Sequence, residues 1–117
     1  MTEQEMKQRT KTFALRVIKL VDSLPNRLTA RRIGDQLVRA GTSVAANYRA
    51  ACRGRSKADF LSKLGIVEEE ADESAFWMEI LTEAGLMPAK RVAKLLEEAN
   101  QLTAIVVASR KTASGHR

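Results

Sequence analysis

The sequence predicts an all-α protein, an antiparallel up-down-up-down four-helix bundle. Three observations carry this. Apolar residues recur at steps of three and four along most of the chain, and the only two prolines, Pro25 and Pro88, fall where that period breaks. No alternating strand pattern and no Asn-Gly hairpin signal interrupts it. A chain of 117 residues buries roughly two-thirds of its unfolded surface, enough for one domain over 1-117 without staples.

Each helix has its own punctuation. The first is predicted over about 3-24: Thr2 caps it, Glu5 completes a capping box, and Phe13, Val17, Leu20, Val21 and Leu24 form the apolar stripe before Pro25 and Asn26 close it. The second, about 30-53, takes Thr29 as its cap and carries the cleanest stripe, Ile33, Leu37, Ala40, Val44, Tyr48 and Ala51; Gly54 ends it. Ser56 and Asp59 start the third, about 57-84, with Phe60, Leu64, Val67, Ala71, Ala75, Met78 and Leu81 on its buried face and Gly85 as a left-handed stop. Pro88 suits the first turn of the fourth, about 88-111, whose stripe is Val92, Leu95, Leu96, Ala99, Leu102, Ile105 and Val106; residues 114–117 are expected to fray.

Composition narrows the function. A single cysteine, Cys52, forms no internal disulfide and suits a reducing compartment, so the cytoplasm is expected. The polar start of the chain lacks the apolar core of a secretory signal, and no apolar run approaches the roughly 18 residues of a membrane span. The formal charge of +6 is unevenly spread: Arg27 to Lys63 has nine basic and two acidic residues, whereas Glu68 to Glu83 has seven acidic and no basic ones. Such a chain either pairs its basic and acidic helices internally or presents the basic part to a polyanion.

Several groups of residues are candidates for a role. Gln36, Arg39, Ser43 and Asn47 share one stripe of the second helix, where Arg39 is expected to pair with Glu70 or Glu73 in a buried polar network that sets helix register; the alternative is a solvated face. Arg27, Arg31, Arg32, Arg49, Arg53, Arg55 and Lys57 gather at the two ends of that helix and in the loop after it, as side chains able to hold phosphates without reading bases. No aromatic residues are interleaved among them for base stacking. The acidic run lacks the histidines of a bundle di-metal site; the one histidine, His116, lies in the tail, so no metal, cofactor or catalytic residue is expected. Cys52 reads as a packing residue, because a helix C-terminus opposes thiolate formation. Phe76, Trp77 and Met78 are adjacent and cannot share one face, and Trp77 is chosen as the partner contact, the alternative being a core or half-exposed indole within one bundle.

The run from Gln36 to Tyr48, followed by Arg53-Gly54-Arg55-Ser56-Lys57-Ala58-Asp59-Phe60-Leu61, resembles the bacterial four-helix-bundle family named for intervening sequences in 23S ribosomal RNA genes. The family's second-helix pattern falls on Gln36, Leu37, Arg39, Ala40, Ser43, Val44 and Asn47, its Gly-Arg-x-Ser loop on Gly54, Arg55 and Ser56, and its third-helix glutamate on or near Glu70. Tyr48 to Cys52 departs from the commonest form and makes the loop more basic. The resemblance implies a homopentameric ring without enzymatic activity. It also implies similarity to the accessory protein of diversity-generating retroelements, and hence two kinds of partner: RNA or DNA on the basic surface, or a protein such as a reverse transcriptase docked on the ring. Surplus apolar residues Trp77, Ile80 and Ile105 fit self-association.

Overall fold

The computed structural model describes residues 1–115 and consists of four α-helices: α1 (Glu3–Asp22), α2 (Leu28–Cys52), α3 (Lys57–Glu83) and α4 (Ala89–Ser114). They run up-down-up-down in an elongated bundle of 45 × 23 × 20 Å. Each helix packs on the next in sequence, α4 closes on α1 along the thinnest of the four seams, and the diagonal pairs do not meet.

Local chemistry sets most of the helix ends. The Thr2 hydroxyl accepts from the Glu5 amide at 3.1 Å, and the Glu5 carboxylate accepts from the Thr2 amide at 3.3 Å, the reciprocal pair of a capping box. These bonds hold the Glu5 carboxyl below the usual carboxylate range. Ser56 caps α3 by accepting from the Asp59 amide at 3.1 Å. Gly85 adopts φ 73°, a left-handed conformation that an L side chain resists. It closes α3 with Leu86 N–H donating to the Leu81 carbonyl and Gly85 N–H to that of Thr82, and so turns Leu86 and Met87 into the core.

The start of α2 differs from the expectation. Thr29 is not the cap: the Arg27 amide bonds the Pro25 carbonyl at 2.8 Å, the chain turns there, and the Arg27 carbonyl already receives the Arg31 amide. Thr29 therefore sits inside the first turn, and Arg27 caps with backbone alone. Pro88 occupies the cap of α4 rather than its first turn. Ser114 is helical, with Gly115 closing α4 at φ 83°; residues 116 and 117, and with them His116, lie outside the described residues.

The core follows the predicted stripes. Phe13, Val17, Leu37, Val44, Leu64, Val67, Met78, Leu81, Val92 and Leu102 are fully buried, whereas Val21, Leu24, Ile33, Phe60, Leu96 and Ile105 sit at its margin. Gly41 lies in the α2 stripe because a Cβ there would come within 2.8 Å of Val17 Cγ1, so its hydrogen lets α1 approach α2 closely. Thr10 and Ser74 are the buried polar residues; each hydroxyl donates back into its own helix, to Met6 and Glu70 carbonyls.

Candidate nucleic-acid interface

The α2 helix separates the seven candidate phosphate ligands into two groups, with about 25 Å of helix axis between Arg32 and Arg49. At its start, Arg27, Arg31 and Arg32 are exposed; Arg31 donates to Asn26 Oδ1 at 2.6 Å and Arg32 lies 3.9 Å from Asp35, a pair so exposed that it contributes little. At its far end, Arg49, Arg53, Arg55 and Lys57 are all exposed, Arg55 on the loop into α3, where its amide donates to Asp59 at 3.3 Å, and Lys57 at the first position of α3.

Arg49 and Arg53 do not stand alone. They form one wall of an open groove of about 560 Å³ whose opposite wall is α1, with Lys7, Lys11, Gln4 and Gln8 facing them across Thr42, Ala45 and Ala46. Lys7 and Lys11 escaped sequence reasoning because they belong to a segment of modest net charge, and only the pairing of α1 with α2 brings them beside the arginines. The nearest acid, Glu3, lies 3.7 Å from Lys7. The signal available in the sequence was their spacing: residues 4, 7, 8 and 11 share one helix face.

The polar stripe on α2 behaves differently from the expected buried network. Arg39 reaches across to α3, donating to Glu70 at 2.8 and 3.2 Å and to Glu73 as well. Glu70 first, then Glu73, raise the pKa of the guanidinium above its ordinary value. The Arg39 side chain nevertheless remains 47% exposed, so this is a rim contact between helices. Gln36 points to solvent, Ser43 is half-buried, and Asn47 donates to the Ser43 carbonyl of its own helix at 2.9 Å. The four residues share a face, but among them only Arg39 hydrogen-bonds a neighbouring helix.

Trp77 is half-buried: its ring packs against the core margin, and its indole N–H donates to Glu73 of the same helix at 3.2 Å, the carboxylate that Arg39 also meets. The outward aromatic is Phe76, 49% exposed and edge-on to Trp77 at 4.9 Å between ring centroids. Ile80 and Ile105 are likewise half-buried; besides Phe76, the exposed large apolar side chains include Leu15 and Ile18 on α1.

Sequence reasoning also missed a bidentate contact across the α1–α4 seam. Arg9 donates to both oxygens of Glu98, at 2.7 and 2.8 Å, and to Gln101 at 2.8 Å. The Glu98 contact raises the Arg9 pKa above its ordinary value. The acidic run of α3 is partly spent in similar pairs, with Glu68 meeting Arg110 of α4. Among the described residues, no group of three or more His, Cys, Asp or Glu is arranged to hold a metal. Burial pushes the Cys52 thiol up, which suits a packing residue rather than a nucleophile. No helix among the described residues is long and apolar enough to cross a membrane.

These features define a class: an antiparallel four-helix bundle with a basic groove between α1 and α2. The chain belongs to the 23S rRNA-intervening sequence protein family, whose sequence profile matches residues 2–108. It is similar in fold to a protein of unknown function from the S23 ribosomal protein family of Bacteroides thetaiotaomicron, at 28% identity and a TM-score of 0.88, over 95% of this chain and 99% of that one. No curated protein matches the sequence.

Proposed function

We propose that the protein is a non-enzymatic, cytoplasmic, oligomeric bundle that binds RNA or DNA with little sequence preference through the α1–α2 groove and the adjoining loop. The observation that carries this reading is the concentration of Lys7, Lys11, Arg49 and Arg53 in one groove, with exposed Arg55 and Lys57 at the same end of the bundle. Arginine and lysine on an open surface neutralise phosphates; without interleaved aromatics they do not select bases. Family membership is consistent with a ribonucleic acid context, although the likeness to a protein of unknown function adds fold alone.

Self-association, with five subunits as the resemblance implies, is supported by Leu15 and Phe76, 59% and 49% exposed, on the diagonally opposed helices α1 and α3. Two apolar sites on different sides of a subunit favour head-to-tail contacts, which close into a ring when the rotation permits. A ring repeats each groove around its axis and multiplies weak phosphate contacts. The same exposed apolar side chains favour a second reading, a protein-binding adaptor that docks a partner such as a polymerase.

Salt dependence separates the two. Affinity for a labelled oligonucleotide is expected to fall linearly with salt on log-log axes, because each phosphate contact releases counterions. Exchanging Arg53 and Arg55 for glutamate is expected to abolish that binding with helix content and oligomer mass unchanged. Undiminished binding by this variant removes the assigned surface, and absence of wild-type binding at low salt leaves the adaptor. Light scattering is expected to report an oligomer at micromolar concentration; a monomer mass removes the ring.

A further inference from the structure

A second groove, of about 470 Å³, runs between the C-terminal half of α1 and the first turns of α4. Arg16 and Lys19 line it from α1, and Lys90, Arg91 and Lys94 from α4; Leu20 and Leu95 lie in its floor. Among the described residues, none of these five cations is within 4.0 Å of a carboxylate. The first turn of α4 contains no acid, and Pro88 provides no side-chain cap, so the positive end of that helix adds to the same field.

This arrangement is unlike the rest of the seam. Higher up, the same two helices are joined by Arg9 and Glu98, a bidentate pair. At the lower end, five like charges face one another with no internal counterion, which costs stability unless an external anion is present. The groove is open and elongated: residues 16 to 23 of the α1 wall span about 10 Å, room for two or three phosphates of a strand at a rise of about 3.4 Å each. No aromatic side chain lines it, so a nucleobase has nothing to stack on.

We propose that the α1–α4 groove is a second phosphate-backbone site, which holds consecutive phosphates of a nucleic-acid strand independently of the α1–α2 groove. The inference rests on the nucleic-acid reading above and extends it to residues of another face. Lys7 and Lys19, one from each groove, are separated by about 18 Å along α1 and by about 120° around it. A strand held at both sites therefore has to wrap around α1, or two strands bind one subunit.

The full chain, titrated with fluorescein-labelled U15 RNA and with a 15-base-pair DNA duplex over a range of salt, tests this. The variant Arg16→Ala/Arg91→Ala/Lys94→Ala is expected to bind about ten- to a hundred-fold more weakly, with a salt slope shallower by about two to three. The Arg53→Glu/Arg55→Glu variant reports the other groove in parallel, and the single variant Lys94→Gln gives a smaller loss in the same direction if the triple variant folds poorly. Wild-type affinity and slope in both α1–α4 variants, with binding lost in the Arg53/Arg55 variant, overturn this site and leave the proposed function standing. No wild-type binding of either probe at low salt overturns both. Inorganic tripolyphosphate supplies a third arm: if it raises the wild-type melting temperature but neither nucleic acid competes with it, the groove takes a small polyanion and the strand assignment falls.

Discussion

Along the α2–α3 seam, Arg39 meets Glu70 and Glu73 across a half-exposed rim, above a continuous apolar core. Along the α1–α4 seam, a more shielded pair, Arg9 and Glu98, joins the helices near one end, while five cations without carboxylate partners line the other. Both seams combine arginine, glutamate and leucine, but the first spends its charges internally and the second leaves a surplus. The acidic run of α3 explains the contrast. It lies where α2 and α4 can reach it, and α1, diagonal to α3, receives none of its carboxylates. Among the described residues, three carboxylates of the α3 run, Glu68, Glu70 and Glu73, are taken up by Arg39 and Arg110, while most cations of Arg27 to Lys63 stay exposed and further ones line the two flanks of α1.

Truncating the core is expected to have the largest effect and to distinguish the seams. Leu37→Ala on α2, at a fully buried position, is expected to cost about 3–5 kcal/mol, because the space it leaves is enclosed on all sides. Leu95→Ala, in the floor of the open α1–α4 groove, should cost nearer 2 kcal/mol, since side chains at an open groove relax into the space more freely. Urea unfolding of the two variants checks this, and equal losses mean that the groove is as tightly packed as the core.

Next in size is the pair that joins α1 to α4. Arg9→Met is expected to cost about 1–2 kcal/mol, because Glu98, with a side chain only 16% exposed, loses two charge-assisted hydrogen bonds. Pairing it with Glu98→Leu should recover part of the loss, and a double-mutant cycle with no coupling shows that the two act separately. Arg39→Ala is expected to cost less, about 0.5–1 kcal/mol, since its side chain is 47% exposed and solvent takes over much of the interaction. Arg31→Ala, whose partner is the exposed Asn26, should be close to neutral. Melting temperatures in the order Arg31→Ala, Arg39→Ala, Arg9→Met, highest to lowest, check this ranking.

What could be read in the sequence was local or periodic. The Thr2–Glu5 box, the Ser56 cap and the Gly85 stop each involve residues within a few positions of one another, so their chemistry is written in consecutive letters. The four apolar stripes were legible for the same reason, and Arg39 could be matched to Glu70 and Glu73 because short loops make α2 and α3 antiparallel neighbours. Contacts that depend on closing the bundle were not legible. Arg9 and Glu98 are 89 positions apart, and their meeting depends on the register between the first and last helices. Which of the adjacent Phe76 and Trp77 points further outward was not legible, because one residue on a helix is a rotation of 100°, finer than a stripe of marginal apolar residues resolves. The α1–α4 groove was hidden because its cations are divided between the two ends of the sequence, neither of which has the charge density of Arg27 to Lys63.

The smallest expected effect has the opposite sign from the others and bears most directly on the comparison. If the five cations of the α1–α4 groove repel one another in the free protein, removing one should stabilise it. Arg91→Ala and Lys94→Ala are each expected to raise stability by a few tenths of a kcal/mol at low salt, the scale of like-charge pairs on helix surfaces. Alanine also has a slightly better helix propensity than either residue it replaces. That contribution is independent of salt, whereas the repulsion is screened as the Debye length falls from about 30 Å at 0.01 M to about 3 Å at 1 M. The advantage of the variants over the wild type should therefore shrink as salt rises, leaving only the propensity term. Arg9→Met should behave oppositely, with its deficit largest at low salt, where attraction to Glu98 is least screened. A stability difference between Lys94→Ala and wild type that stays constant from low to high salt would show that the groove charges do not interact, and the two ends of the seam would then differ in geometry alone.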